Sequence, residues 1–213
     1  MVSRLQAMMI LVLFGLVSCL ACVAAADLLN PQWSWMEEMA SHFVNGRAGW
    51  LITVALLSIS FASALLTWWA ARARPRNVGG VWALGIWTGG VLLAAAFPAD
   101  PPGQWDQPLS TAATIHGLAG NVAFVALVVA AILLTWSWRH GRLGPILSVT
   151  AAAVVLAFVG FAVTLVDVFD GPSLTFGGYV KIVGLTERLM LVADVVWLAT
   201  VAVRLRRLPV RAA

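Results

Sequence analysis

Hydrophobic residues dominate six stretches of the chain, and short polar stretches separate them. Each stretch has about 20 or more residues and few charges, which is the length that a helix needs to cross the hydrocarbon of a membrane. None shows the alternating pattern of a membrane β-barrel strand. The sequence therefore predicts an all-α bundle of six transmembrane helices, a single transmembrane domain over residues 1–213, with spans at residues 5–26, 48–71, 77–97, 111–138, 143–166 and 184–203.

The first stretch allows a second interpretation. Arg4, an apolar run and three alanines at residues 24–26 precede Asp27, and this order resembles a cleavable signal peptide. The run is about 22 residues long, whereas the apolar part of a signal peptide has about 7 to 15 residues. We therefore favour a retained helix. Cleavage would leave five spans, with the remaining loops on the same sides.

Composition indicates lipid as the surrounding solvent. Hydrophobic residues make up 62% of the chain and charged residues 10%, whereas roughly a quarter of the residues of a soluble protein are charged. We therefore expect a multi-pass protein of the cell membrane, with membrane lipids as its immediate partners.

The positions of the charged residues predict the orientation, because Lys and Arg are retained on the cytoplasmic side of a membrane. With both termini in the cytoplasm, that side holds Arg4, Arg72, Arg74, Arg76, Arg139, Arg142, Arg204, Arg206, Arg207 and Arg211. The outer side holds Asp27, Glu37, Glu38, Asp100, Asp106, Asp167, Asp170 and Glu187. The net charge of +4 thus follows from topology, and we expect anionic lipid headgroups and no nucleic acid as partners.

The first outer loop predicts a short helix. Ser34 followed by Glu37 has the spacing of a capping box, in which each side chain accepts a hydrogen bond from a free amide at a helix start. The apolar residues that would share one face of this helix are Trp35, Met36, Met39 and Phe43. Such a helix can lie in the membrane interface, either as a plain anchor or as a cover over a cavity between the spans.

The positions of the tryptophan and glycine residues predict where the helices meet the membrane interface and where they pack closely. The tryptophans near predicted interfaces, where indole rings prefer to lie, are Trp33, Trp35, Trp50, Trp68, Trp69, Trp105, Trp136 and Trp138. Trp82, Trp87 and Trp197 lie deeper and either pack between helices or line an aromatic pocket. The glycines predicted to be points of close helix packing are Gly79, Gly80, Gly89, Gly90, Gly117 and Gly120.

The fourth span carries His116 about one turn inside its start, and Asn121 follows on the face of Gly117. Polar side chains within a membrane usually face the interior of a helix bundle. His116 and Asn121 are therefore candidates for a binding or catalytic site. The structural alternative is a hydrogen bond that joins two helices.

The sixth span carries Glu187, Arg188 and Asp194. An unpaired charge within a membrane is costly, so Arg188 requires a carboxylate partner, and the sequence offers Asp100, Asp167 and Asp170 as candidates. Asp194 lies two turns deeper than Glu187, where burial favours the protonated form of a carboxyl group. Asp194 is therefore a possible proton relay.

Asp100 follows Pro98, which ends the third span because proline cannot continue a helix. If the third, fourth and sixth spans adjoin, Asp100, His116 and Glu187 form an acid and base cluster at the outer mouth of the bundle, with Arg188 beside it. The adjacency of the third and fourth spans follows from their short connection. That of the sixth span is a hypothesis.

Redox and metal chemistry receive little support. Cys19 and Cys22 form a C-x-x-C pair, but a quinone-linked thiol oxidoreductase needs a second pair, and these are the two cysteines of the chain. They are better explained as small apolar side chains on a helix surface. His42 and His116 do not have the spacing of a zinc motif, so we predict no metal and no cofactor.

Several of these segments resemble a bacterial family of membrane proteins, DUF998. The residues that carry the resemblance are 97–100 (Phe-Pro-Ala-Asp), 110–117, 184–189 and Trp197. The resemblance covers most of the chain and implies a six-helix bundle in a bacterial plasma membrane, without a particular activity. It marks Asp100, His116 and Arg188 without assigning them roles.

The leading functional hypothesis is an outer-face site for a lipophilic molecule such as a lipid or an isoprenoid. Asp100, His116 and Glu187 would act as acid and base, and the substrate would contact Arg188, Trp197 and Asn121. The sequence is compatible with a site that catalyses a reaction and with one that only binds a ligand, and it does not indicate an oligomeric state. The alternatives are a proton-coupled small-molecule carrier or channel that uses Asp194, and a structural membrane subunit in which the charged cluster only locks the helices together.

Overall fold

The computed structural model describes residues 2–104, 107–171 and 174–209. These residues form six long α-helices, one short 3₁₀ helix and no strand. The long helices are α1 (Val2–Leu29), α2 (Trp50–Ala70), α3 (Val78–Ala96), α4 (Thr111–Trp138), α5 (Gly144–Asp170) and α6 (Val183–Leu205). The all-α prediction is confirmed, and each predicted span corresponds to one helix. The predictions made for Trp105, Asp106, Arg211 and the side chain of Arg4 fall outside the described residues.

Within the part of the chain that the structure describes, five helices, α1 to α5, are long and apolar enough to cross a membrane, judged by length and composition. α6 is not in this group. It is long enough at 23 residues, but it carries four charged residues, namely Glu187, Arg188, Asp194 and Arg204. The charges are therefore concentrated on the one long helix whose composition does not by itself indicate a span.

The helices pack against their sequence neighbours, and α6 returns to contact α1 and α2. α6 also contacts α4, so the predicted proximity of the fourth and sixth spans is present in the fold. The six helices share one core. Its largest fully buried side chains include Trp69, Trp87, Trp138 and Trp197.

The tryptophans differ from the sequence prediction. Trp82, predicted to lie deep, is 71% exposed on the outward face of α3. Trp69 and Trp138, predicted to lie in interfacial belts, are buried. The buried indole N–H of Trp138 is satisfied, because Nε1 donates a hydrogen bond to the Pro75 carbonyl over 2.9 Å. Position along a helix gives depth in a membrane, but it does not give the face that a side chain occupies.

Glycines play two different roles in the bundle. A Cβ atom at Gly90 would lie 2.9 Å from the Ala119 carbonyl and one at Gly80 would lie 2.6 Å from the Leu134 side chain, so these glycines permit close packing of α3 and α4, as predicted. Gly89 and Gly117 have nothing within 4 Å of such a Cβ. The prediction of close packing is wrong for those two positions.

The chain connections at one end of the bundle are longer and contact one another. We call this the loop-rich end; it comprises the described residues of 30–49, 97–110 and 171–182. Asn45 Nδ2 donates to the Ala99 carbonyl over 2.8 Å, and Glu37 Oε1 accepts from the Val180 amide over 2.9 Å. The first loop is therefore joined to both of the others.

The short helix of the first loop begins later than the sequence predicts. Residues Ala40–Asn45 form a 3₁₀ helix, and the segment around Ser34 forms turns. The Ser34 hydroxyl is buried without a hydrogen-bond partner among the described residues, and Glu37 instead binds Val180. The predicted capping box is wrong, because the carboxylate that should have completed it is engaged by another loop.

Candidate functional site

A cavity of about 360 Å³ lies at the loop-rich end, within the bundle. Its size falls in the range of small-molecule pockets, which extends from about 300 to 1,000 Å³. Every long helix and the 3₁₀ helix contribute to its wall. The wall is mostly apolar and includes Ile52, Ala55, Trp87, Phe124, Phe161 and Met190.

The cavity reaches the outer surface of the bundle between α4 and α5. Leu118 on α4 and Phe169 on α5 both line the cavity, and each is also 63% exposed. Gly117 lines the same part of the wall, where its lack of a side chain leaves open space. The exposed loop residues Gln104 and Gln107 also line the cavity, so its wall reaches the surface both beside α4 and α5, where the surface is apolar, and at the loop-rich end.

Five of the site residues predicted from the sequence line this cavity, namely Asp100, His116, Asn121, Glu187 and Arg188. They come from α4, from α6 and from the loop that follows α3, so residues of the three predicted segments line one cavity. Trp197 and Asp194 are not part of the wall. Trp197 is fully buried and its Nε1 donates to Thr135 Oγ1 over 3.3 Å, which joins α6 to α4.

His116 is held by the end of α3. Its Nδ1 lies 2.9 Å from the Ala94 carbonyl and 2.9 Å from the Phe97 carbonyl. Carbonyl oxygens only accept hydrogen bonds, so Nδ1 must carry a proton and donate it. In the neutral ring this leaves Nε2 as an acceptor. The sequence left open a structural or a chemical role for His116, and the geometry provides for both.

Asp100 closes the connection between α3 and α4. Its Oδ2 accepts a hydrogen bond from the Ser110 amide over 2.9 Å, and Ser110 in turn caps α4 by accepting from the Ala113 amide over 3.1 Å. Hydrogen bonds from the Ser110 side chain and amide lower the pKa of Asp100 below its ordinary value of 3.8. Asp100 is therefore ionised at neutral pH and is a poor proton donor.

Arg188 forms an ion pair with Asp27, and the three partners predicted from the sequence are wrong. Its Nε and Nη2 donate to the two carboxylate oxygens of Asp27 over 2.9 and 2.5 Å. Its Nη1 donates to the backbone carbonyls of Glu38 and Gly184, each over 3.0 Å. The guanidinium thus joins α6 to the end of α1 and to the first loop. The sequence prediction failed because Asp27 lies 161 positions away at the end of another apolar helix.

Glu187, next to this ion pair, supports the 3₁₀ helix. Its Oε2 accepts a hydrogen bond from the backbone amide of Ala40, the first residue of that helix. An acceptor at this place satisfies one of the free amides of a helix start. Among the contacts that the structure describes, Oε1 of Glu187 takes no hydrogen bond, and the side chain lines the cavity.

The comparison with known families covers the residues that build this site. The family described as "Protein of unknown function (DUF998)" matches residues 13–204. The chain belongs to this family. The match runs from within α1 to the last turn of α6, and it contains every cavity residue named above. No curated protein and no solved structure matches the sequence.

A second charged cluster of this DUF998 protein was not predicted as part of the site. Glu38 Oε1 lies 3.1 Å from Lys181 Nζ, and its Oε2 lies 3.1 Å from His42 Nδ1. Burial raises the pKa of Glu38, but the hydrogen bonds and positive charges of His42 and Lys181 outweigh it, so the pKa lies below the ordinary 4.5. His42 also lines the cavity. The i, i+4 spacing of Glu38 and His42 was the available sequence signal.

The described part of the DUF998 chain holds no group of three or more His, Cys, Asp or Glu residues placed to bind a metal ion. Cys19 and Cys22 are free thiols, and Cys19 is buried in the core between the helices. This burial agrees with the prediction that Cys19 fills space on a helix surface.

Proposed function

We propose that this DUF998 protein binds a lipophilic molecule in the cavity at the loop-rich end. The observation that carries the proposal is the combination of a mostly apolar cavity of about 360 Å³ with ionisable groups at one end. Such a cavity suits a molecule whose apolar part lies against Trp87, Phe124 and Phe161 and whose polar part reaches His116 and Glu187. The opening between α4 and α5 would admit such a molecule directly from the membrane.

We further propose that the protein is a six-span protein of a bacterial plasma membrane, with α6 as the sixth span and both termini in the cytoplasm. The arrangement of arginine residues supports this orientation, since the short connections at Arg72–Arg76 and Arg139–Arg142 are basic. α6 carries charges, but Asp194 is only 2% exposed and Arg188 is paired with Asp27. Its charges therefore do not require contact with lipid.

The polar end of the cavity is suited to basic rather than acidic catalysis. His116 Nε2 is an acceptor in the neutral ring, and Glu187 has one carboxylate oxygen left for a ligand. Asp100 is already ionised, which disfavours the proton-donating role that the sequence suggested for it. If the site catalyses a reaction, we propose that His116 or Glu187 accepts a proton from the bound molecule while Asp100 positions the start of α4.

A matched pair of glycine substitutions tests binding. Gly117→Leu would fill the cavity beside α4, whereas Gly89→Leu adds the same side chain at a helical position that is exposed and outside the cavity. We expect lipophilic molecules that co-purify with the protein, measured by mass spectrometry of organic extracts, to fall roughly fivefold for Gly117→Leu only. Equal retention by the two variants and the unaltered protein would contradict the proposal.

A proton-coupled carrier is a second candidate, favoured by one observation. Asp194 is 2% exposed, and its Oδ2 has no hydrogen-bond partner among the described residues. A carboxyl group in this position can serve as a proton relay. This function requires that Asp194→Asn abolish any proton-driven uptake into proteoliposomes. Uptake that continues unchanged would exclude it.

A further inference from the structure

The charges around the cavity define which polar groups its occupant can carry. Among the Arg and Lys side chains that the structure describes, only Arg188 lines the cavity. Its Nε and Nη2 are bound to both oxygens of Asp27, and its Nη1 is bound to two carbonyls. The positive charge is thus neutralised by a carboxylate inside the protein. Arg188 therefore has little capacity left to bind an anionic group.

Lys181, the one lysine of the sequence, is also engaged in an ion pair. Lys181 Nζ lies 3.1 Å from Glu38 Oε1, and both side chains are mostly buried. Glu38 also contacts His42. Neither of the two ion pairs, Asp27 with Arg188 and Glu38 with Lys181, leaves a net positive charge at the loop-rich end of the cavity.

Three of the remaining ionisable side chains of the wall offer hydrogen-bond acceptors, and the amide and hydroxyl side chains of the wall can both donate and accept. Glu187 contributes Oε1, because only its Oε2 is engaged by a described residue, the Ala40 amide. His116 contributes Nε2, because both partners of its Nδ1 are carbonyl oxygens. Asp100 adds a second carboxylate. Its hydrogen bonds with Ser110 lower its pKa, so it is ionised at neutral pH. A donor with a positive charge complements such a surface, whereas a second anion would be repelled.

We propose that the occupant is an amphiphile with a cationic amine headgroup. This inference rests on the proposed binding function and narrows its ligand class. The ammonium group lies against Glu187 and His116, and the hydrocarbon chain extends along Trp87, Phe124 and Phe161 toward the opening between α4 and α5. The ammonium donates hydrogen bonds to Glu187 and His116, whereas the donors of Arg188 are engaged by Asp27 and by two backbone carbonyls.

The test compares probes with one chain length and three headgroups. The protein is placed in phosphatidylcholine nanodiscs with a twelve-carbon amine that carries a photoreactive diazirine in its chain, and the yield of crosslinks to cavity residues is measured. Unlabelled dodecylamine, dodecanol and dodecanoic acid then compete at equal concentrations in the membrane. We expect dodecylamine to compete roughly tenfold better than either alternative, since a charged hydrogen bond contributes about that factor. Equal or better competition by dodecanol or dodecanoic acid would overturn the inference.

Two carboxylates allow a matched control. Glu187→Gln removes the charge but keeps an oxygen that can accept from the Ala40 amide, so the 3₁₀ helix keeps its bond. Glu37→Gln removes the same charge at the same end of the molecule, also from a carboxylate that binds a backbone amide, but outside the cavity. Glu187→Gln should weaken amine binding roughly tenfold and Glu37→Gln less than twofold. Equal effects of the two changes would contradict a contact with Glu187.

The glycine variants separate failure of this inference from failure of the proposed function. If Gly117→Leu blocks crosslinking while all three headgroups compete equally, the cavity binds lipophiles but does not select amines. If Gly117→Leu and Gly89→Leu crosslink alike, the cavity is not the binding site and both proposals fail.

Discussion

His116 binds the backbone through one ring nitrogen, and the residue also lines the cavity. Its Nδ1 donates to the carbonyls of Ala94 and Phe97 at the end of α3, where helix carbonyls otherwise lack partners. The structural contact uses Nδ1, whereas the proposed chemical role uses Nε2. Substitutions can separate them.

His116→Asn and His116→Ala test this division. The asparagine Nδ2 can replace Nδ1 as donor, so His116→Asn should unfold close to the unaltered protein. His116→Ala should lose about 1 to 2 kcal/mol, because the two carbonyls lose their donor. Both variants lack Nε2 and should lose any proton transfer or ligand contact that depends on it. Thermal unfolding in detergent measures the first effect and ligand binding the second. Equal stability of the two variants would argue against the structural role of Nδ1.

The lowered pKa of Glu38 predicts that the folded protein loses stability in acid. Its pKa in the folded protein lies below the ordinary 4.5, so the unfolded chain binds more protons as the pH falls between the two values. The stabilisation is complete above about 4.5 and is lost as the pH falls through the folded pKa. Unfolding measured from pH 7 to 3 should show this decline, and Glu38→Gln should flatten it. An unchanged slope in Glu38→Gln would mean that another carboxylate is responsible.

Some site residues could be predicted from the sequence and others could not, depending on their position along the chain. Asp100, His116, Asn121, Glu187 and Arg188 are visible in the sequence because they interrupt or border apolar runs, and all line the cavity. The residues that the sequence did not assign to the site are Asp27, Glu38, His42 and Lys181. Glu38, His42 and Lys181 lie in loops, where polar residues are common, and the partner of Asp27 lies 161 positions away. Pairing over such distances follows from the fold and not from spacing.

The helices themselves were predicted well, because hydrophobic length determines them. The bounds of α4, Thr111–Trp138, coincide with the predicted span, since Ser110 supplies the cap. The predictions were weaker for helix faces. Trp82 and Gly117 were both assigned to the packed interior, but Trp82 is exposed and Gly117 borders a cavity. A helix that is apolar all around gives no hydrophobic pattern to mark which face is buried.

The ion pair between α1 and α6 can be tested with a double-mutant cycle. Asp27 and Arg188 side chains are 20% and 12% exposed, so removing one partner leaves a largely buried charge. Asp27→Asn and Arg188→Gln should each cost about 3 kcal/mol, and the double variant should cost clearly less than their sum. Arg142→Gln, at an exposed position, serves as control and should change stability little. Additive effects would show that the two side chains do not interact.

The proposed orientation of the whole molecule makes a labelling prediction. Gln104 and Arg142 are exposed and lie at opposite ends of α4. In a background without Cys19 and Cys22, Gln104→Cys should react with a membrane-impermeant maleimide in intact cells. Arg142→Cys should react only after lysis. The reverse pattern would show the opposite orientation in the membrane. Labelling at both positions in intact cells would show that α4 does not cross the membrane between them.

The position of α6 has a consequence for how the protein is made. The chain is synthesised from its N-terminus, and segments fold as they emerge. Asp27 and the Ala40 amide belong to the first part of the chain, yet their partners, Arg188 and Glu187, lie on the last helix. These contacts of α1 and the first loop can therefore form only after α6 has been made. A nascent chain stopped after α5 has most of the cavity wall but lacks Glu187 and Arg188, so the site cannot be completed before α6 has been made and has packed against α1.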